Sequence, residues 1–205
     1  MIIHNFEQGS EEWLQYRVGK VTGKSSEKVM SNNWVDYTDV IAAEQITNKR
    51  KSEGFKSEAM KRGNELEPVA RRLYSELLGL PVQEVGFIQP EQFPYFGMSP
   101  DGLVSSNGQY VIIPEIKCPE PQTHIRYIRE NVAPKEYYWQ YISAFVACKE
   151  IFCVDFISYC PEITNKPIWV KRINRKDVQS DINALEAKLT IFFTQVQKTI
   201  NLITF

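Results

Sequence analysis

Apolar positions recur at spacings of three and four in several stretches of the chain, and each such stretch predicts a helix. Trp13, Tyr16 and Arg17 follow Ser10-Glu11-Glu12, so one helix opens near residue 10. Gly19 interrupts it, and Thr22 to Ser26 stand where they can cap a second helix through Val29. Val40, Ile41, Ala43, Glu44 and Ile46 predict a helix over 36–50, followed by an exposed basic loop from Lys49 to Gly54. Ser57 to Leu78 is the longest pattern of the first half, with Val69, Leu73 and Leu77 on one face and Leu66, Ala70 and Tyr74 on another. Pro68 lies inside it without an N–H to donate, which predicts a kink or a restart near Asn64.

After Gly79 the texture turns to short β-rich runs separated by Pro, Gly or Asn: Val82 to Ile88, Tyr95 to Met98, Leu103 to Val104 and Tyr110 to Ile116. Helical patterns return at Gln122 to Arg129 and Lys135 to Cys148, strands at Ile151 to Tyr159 and Ile168 to Ile173, and a last helix at Asp177 to Ile200. Ile182, Leu185, Leu189, Phe192, Val196 and Ile200 form that helix's apolar stripe, suited to a core or a subunit interface. The order predicts an α/β or α+β fold with a mixed central sheet flanked by helices.

Composition narrows the picture. The 205 residues suit a single domain, 1–205, and 43% hydrophobic with 12% aromatic residues supplies one sizeable core. Lys and Arg total 24 against 25 Asp and Glu, a formal net charge of −1, which excludes a polycation or an acidic disordered tail but not a local basic groove. Met1 to Ser10 has no basic segment followed by an apolar core, and the apolar run Ile142 to Cys148 is far short of the roughly 20 residues that span a bilayer. A cytoplasmic protein without a membrane partner is expected. Cys118, Cys148, Cys153 and Cys160 contain no CxxC pair and read as free thiols.

One constellation carries chemistry. Ser99-Pro100-Asp101-Gly102 is a turn signal between β-like runs, and Glu115-Ile116-Lys117 ends the strand beginning at Tyr110. Glu115 and Lys117 are two apart, so they share a strand face. Adjacent strands would bring two carboxylates and an ammonium to one spot, a donor set suited to Mg²⁺ or Mn²⁺ and to phosphodiester hydrolysis. Glu67 or its neighbour Glu65, on the Pro-containing helix, is a candidate third acid for a site holding two ions. An Asp-Gly turn or a Glu-x-Lys strand is commonplace alone; it is their combination that points to a site.

These residues match the PD-(D/E)xK nuclease pattern. The chain more narrowly resembles the phage lambda exonuclease and YqaJ-type viral recombinase family. The matching pieces run from Glu12-Trp13 with Tyr16-Arg17-Val18-Gly19 and Val21-Thr22, through Arg62-Gly63-Asn64-Glu65-Leu66-Glu67, Ser99-Pro100-Asp101-Gly102-Leu103 and Glu115-Ile116-Lys117-Cys118-Pro119, to Trp139-Gln140-Tyr141. The resemblance implies a restriction-endonuclease-like core and a Mg²⁺-dependent exonuclease, with Mn²⁺ able to substitute, that digests one strand of linear duplex DNA from its 5′ end. It implies Asp101, Glu115 and the Ile116 carbonyl as metal ligands and Glu67 at the second metal. Lys117 would activate water, with Gln140 beside it. Arg17 and Ser99 would hold the 5′ phosphate. Where the family often has Thr-Ala-Ser, this chain has Thr22-Gly23-Lys24-Ser25, leaving Lys24 and Ser25 as alternatives for that phosphate. A ring-like homotrimer and a single-strand annealing protein are the implied partners. A PD-(D/E)xK endonuclease and a non-catalytic DNA-end-binding protein are the alternatives.

Lys49, Arg50, Lys51, Lys56, Lys61, Arg62, Arg71 and Arg72 outnumber the acids among them, and such a stretch can track a DNA backbone or simply face solvent. Trp34, in the polar setting Ser31-Asn32-Asn33, is the better candidate to stack on a base, while Trp13 reads as core. His4 and His124 have no partner visible in sequence and are not expected to bind metal.

Overall fold

The computed structural model describes residues 1–49 and 58–204. In chain order the elements are β1 (Ile2–His4), α1 (Glu11–Tyr16), β2 (Val21–Thr22), α2 (Ser26–Met30), α3 (Trp34–Thr47), α4 (Glu58–Leu78), β3 (Val82–Gln83), β4 (Phe87–Gln89), β5 (Phe96–Gly97), β6 (Leu103–Ser106), β7 (Gln109–Lys117), α5 (Pro121–Glu130), α6 (Tyr138–Ala147), β8 (Cys153–Tyr159), β9 (Ile168–Asn174) and α7 (Gln179–Ile203). The central sheet has the order β3-β6-β7-β8-β9, with β7 and β8 parallel and the other neighbours antiparallel. This is the mixed sheet that the sequence predicts. Parallel neighbours need a crossover, and α5 and α6 supply it between β7 and β8.

Alternation along β7 sorts its side chains onto two cores. Ile112 and Ile116 join Ala70 and Tyr74 of α4 with Cys153 and Ile157 of β8. Ile113 joins Tyr141 and Phe145 of α6, Val154 and Phe156 of β8, and the α7 stripe Leu185, Leu189 and Phe192. Glu115 has the parity of Ile113, so a carboxylate is delivered to the α6 side of the sheet. Its register partner on β8 is Phe156, and that of Lys117 is Ser158.

Two small pairings the sequence did not predict frame this sheet. β1 lies antiparallel to β4, and β2 runs parallel to β5 with Val21 opposite Phe96 and Thr22 opposite Gly97. Strands of two or three residues are too short to show a period. Ser10 caps α1 by accepting from the Trp13 N–H at 3.2 Å. The helix does not restart near Asn64: α4 runs from Glu58 to Leu78 as one helix with Pro68 inside it. Asn64, whose carbonyl the missing N–H would have met, and Pro68 are both exposed, so water can satisfy the freed oxygen. Among the described residues no helix is long and apolar enough to cross a membrane.

Gly97 is where β5 presses against β4. A Cβ there would collide with the Phe87 ring and with the Ile88 carbonyl oxygen, which is held by the Met98 N–H at 3.0 Å and cannot give way. Gly97→Ala should therefore destabilise the protein by about 1–3 kcal/mol through overpacking, read as a lowered urea midpoint. A midpoint equal to that of the unsubstituted protein would show that β4 and β5 are not so closely apposed.

Candidate active site

β6 begins at Leu103, so the Ile116 N–H lies past the end of the β6–β7 ladder. Asp101 fills the gap: its Oδ2 accepts that N–H at 2.6 Å. Gly102 makes this approach possible, since a Cβ there would meet the Val82 side chain and, at 3.2 Å, Pro114. Glu115, 4% exposed, sits one position back on β7. The Lys117 ammonium donates to Glu115 Oε1 and to the Ile116 carbonyl at 3.1 Å, and stands 3.9 Å from Asp101 Oδ2. The three groups assigned as metal ligands thus gather around one positive charge.

The electrostatics follow from crowding. Burial pushes the Glu115 carboxyl up, Lys117 opposes that, and the Asp101 charge adds to it. For Lys117, burial alone would favour loss of the proton, but Glu115 and Asp101 outweigh it and raise the ammonium above its ordinary range. Its neighbour is the Tyr137 ring, 5.1 Å from Nζ.

α4 contributes the third acid. Glu67 faces inward and Glu65 is exposed. Arg71, one turn on, donates from Nη2 to Glu67 and from Nε to the Asp101 carbonyl at 2.6 Å, while Nη1 pairs with Glu84. Glu67 is pushed up to about 7 by burial and by Asp101, with Arg71 and Lys117 pulling the other way. Arg71 and Tyr137 were not singled out for the site in the sequence: the first was one cation in a basic stretch, the second an aromatic before a helix. Their roles arise from contacts across distant segments.

The oxygens suit a hard divalent cation: two carboxylates and a carbonyl already surround a cationic group. Among the described residues no three His, Cys, Asp or Glu side chains form a ready-made metal cage. Asp101, Glu67, Arg71, Glu84 and Trp13 line one cavity of about 1670 Å³. Gln140 is half-buried near the start of α6, three residues beyond Tyr137 and so about one turn along from it.

The remaining candidates separate. Arg17 lies over the Trp13 ring at 3.8 Å from its centre, and Trp13 Nε1 donates to Ser99 Oγ at 2.7 Å. Ser25 Oγ accepts from the Thr22 N–H at 2.9 Å and donates to the Thr22 carbonyl at 3.0 Å, whereas Lys24 is exposed on the same turn. Trp34 does not offer a free platform for a base: it packs toward Phe192 of α7, with Lys188 Nζ 3.9 Å above its ring. The polar residues before it hid an aromatic that begins α3 and turns inward. Lys49 is exposed; Arg50 and Lys51 lie outside the described residues. Arg62 and Arg71 of the basic stretch turn inward, Arg62 onto Glu162 at 2.7 and 2.8 Å and onto the Cys118 carbonyl at 3.1 Å, so neither is available to track a backbone.

All four cysteines are free, and burial pushes the Cys118 thiol up to about 12. His124 is buried between Ser158 and the Lys166 carbonyl, and His4 meets the Tyr16 hydroxyl at 2.8 Å.

The raised Glu67 carboxyl makes a signed prediction. A folded state that holds a proton the unfolded chain gives up near 4.5 loses stability as pH rises from 4.5 through about 7. Glu115 acts in the same direction. Urea unfolding in chelator-containing buffer should show this fall, and Glu67→Gln should flatten it. An equally steep fall in the variant would place the titrating carboxyl elsewhere.

The model of the YqaJ-like viral recombinase domain matches residues 12–148. Among solved structures, the alkaline exonuclease LHK-Exo from Laribacter hongkongensis is 32% identical, with a TM-score of 0.81 over 95% of this chain and 96% of its own. The same figures hold for LHK-Exo in complex with dAMP. A phage related exonuclease from Haemophilus somnus 129PT, 18% identical, shares the fold with a TM-score of 0.62 over 90% of this chain and 94% of its own. No curated protein is a significant match. The match spans more than half the chain and takes in Glu67, Asp101, Glu115 and Lys117: this chain belongs to the YqaJ-like viral recombinase family.

Proposed function

We propose that the protein is an exonuclease that digests the 5′-phosphorylated strand of linear duplex DNA in the 5′→3′ direction, releasing mononucleotides and leaving a 3′ overhang. The observation that carries this reading is the convergence of Asp101 Oδ2, Glu115 Oε1 and the Ile116 carbonyl on Lys117, beside a cavity into which Glu67 also faces. The likeness to an exonuclease with a dAMP complex supports a mononucleotide product.

Asp101, Glu115 and the Ile116 carbonyl would hold one Mg²⁺ or Mn²⁺, and Glu67 with Asp101 a second, supplying Lewis-acid polarisation of the scissile phosphate. The chain's own residues do the rest. Lys117, kept charged by its two acids, donates to the attacking water and offsets negative charge growing on the phosphorane. Gln140 helps to orient that water. Water adds to phosphorus and releases a proton to solvent, the P–O3′ bond breaks, and the departing O3′ takes up a proton from solvent. Arg17 and Ser99 receive the 5′ phosphate, and Lys24 replaces Ser25 there because the Ser25 hydroxyl is engaged with Thr22. A ring-like trimer, an annealing partner loading on the overhang and a cytoplasmic site of action complete the reading.

Asp101→Ala, Glu115→Gln and Lys117→Ala should each slow cleavage by about a hundred-fold or more while duplex binding, read by gel shift, survives. Near-normal turnover in any of the three overturns the site. Linear duplex should be degraded in Mg²⁺ and spared in chelator, with 5′-phosphate ends preferred over 5′-hydroxyl ends. Cutting of a covalently closed circle would move the assignment to an endonuclease.

A further inference from the structure

Trp13 is only half-buried, and both parts of its indole are engaged. The ring face carries the Arg17 guanidinium at 3.8 Å from its centre. The Nε1–H is shared between Ser99 Oγ at 2.7 Å and the Gly86 carbonyl at 3.1 Å. Trp13 and Arg17 are four apart at the end of α1, the spacing that stacks side chains on one helix face. Ser99 comes from 86 residues further along the chain. One indole therefore joins the two residues assigned to the 5′ phosphate.

The chemistry of each contact is directional. An indole N–H only donates, so Ser99 can only accept there, and its single hydroxyl proton is directed to another acceptor. A guanidinium lying on an aromatic face presents its N–H groups at its rim, the geometry that matches phosphate oxygens. The Trp13 backbone is itself anchored, because Ser10 Oγ accepts its N–H at 3.2 Å. Trp13 itself also lines the cavity shared with Asp101 and Glu67.

We propose that Trp13 is the positioning residue of the 5′-phosphate subsite: it sets the Ser99 hydroxyl as a donor and holds the Arg17 fork flat, so that a terminal phosphomonoester is read by both. The proposal deepens the exonuclease reading and rests on the assignment of Arg17 and Ser99 to that phosphate. Trp13 acts through these two residues and does not touch the scissile bond.

The test is a double-mutant cycle on the ratio of digestion rates for 5′-phosphate and 5′-hydroxyl ends of one linear duplex. Trp13→Phe keeps a ring under Arg17 and deletes the N–H. Its ratio should fall about ten-fold, the scale of one hydrogen bond to a charged system. Ser99→Ala should produce a similar fall, and the double variant should fall no further than either alone. A Trp13→Phe ratio equal to that of the unsubstituted protein, or losses that multiply in the double variant, overturns the proposal. Trp13→Tyr, which refills more of the indole's volume, is the second variant should Trp13→Phe not fold, and the same loss is expected. If the unsubstituted protein digests both ends equally, the phosphate assignment itself fails and the role of Trp13 falls with it. A phosphate preference undiminished in Trp13→Phe overturns only the latter.

Discussion

The carboxyls of Glu67 and Glu115 are each made costlier to ionise by burial and by the Asp101 charge beside them, and Glu115 is almost wholly buried. Water cannot screen such a group, so the protein must offset it with charges and donors of its own. Lys117 serves Glu115 and Asp101, Arg71 serves Glu67 and the Asp101 backbone, and the Ile116 N–H serves the Asp101 side chain. The central sheet and α4 hold these compensating groups in register. Remove any one and a buried charge is stranded.

The compensation is incomplete. Glu67 stays pushed up to about 7 despite Arg71, and Glu115 stays raised despite Lys117. Residual repulsion between acids favours binding of further positive charge there. Two hydrophobic clusters hold the polar groups together against this repulsion, one on each face of β7.

Much of this was legible in the chain. The periodicities of residues 58–78 and 179–203 produced the two longest helices, and the alternation from Tyr110 to Lys117 placed Glu115 and Lys117 on one face. That α4 does not restart at Pro68 could not be read from sequence, because it depends on whether water can reach the Asn64 carbonyl, a matter of exposure. Trp34 shows the converse: its neighbours in sequence are polar, but its neighbours in space include Phe192 and Lys188. Trp13 was read as core, yet its indole is committed to Arg17 and Ser99.

The linear order of residues determined which groups were on hand and which face of its own element each would occupy, because helix and strand periods are local properties of the backbone. It could not determine that Asp101 would cap the Ile116 N–H, that Arg71 would join Glu67 to the Asp101 turn, or that an indole would connect residues 17 and 99. Those contacts form only when β6 ends short of β7, α4 packs on the sheet and α1 lies against the turn before Asp101. Tertiary packing decided them because distance and dielectric, which set the strength of every charge in the site, depend on the whole fold and not on spacing along the chain.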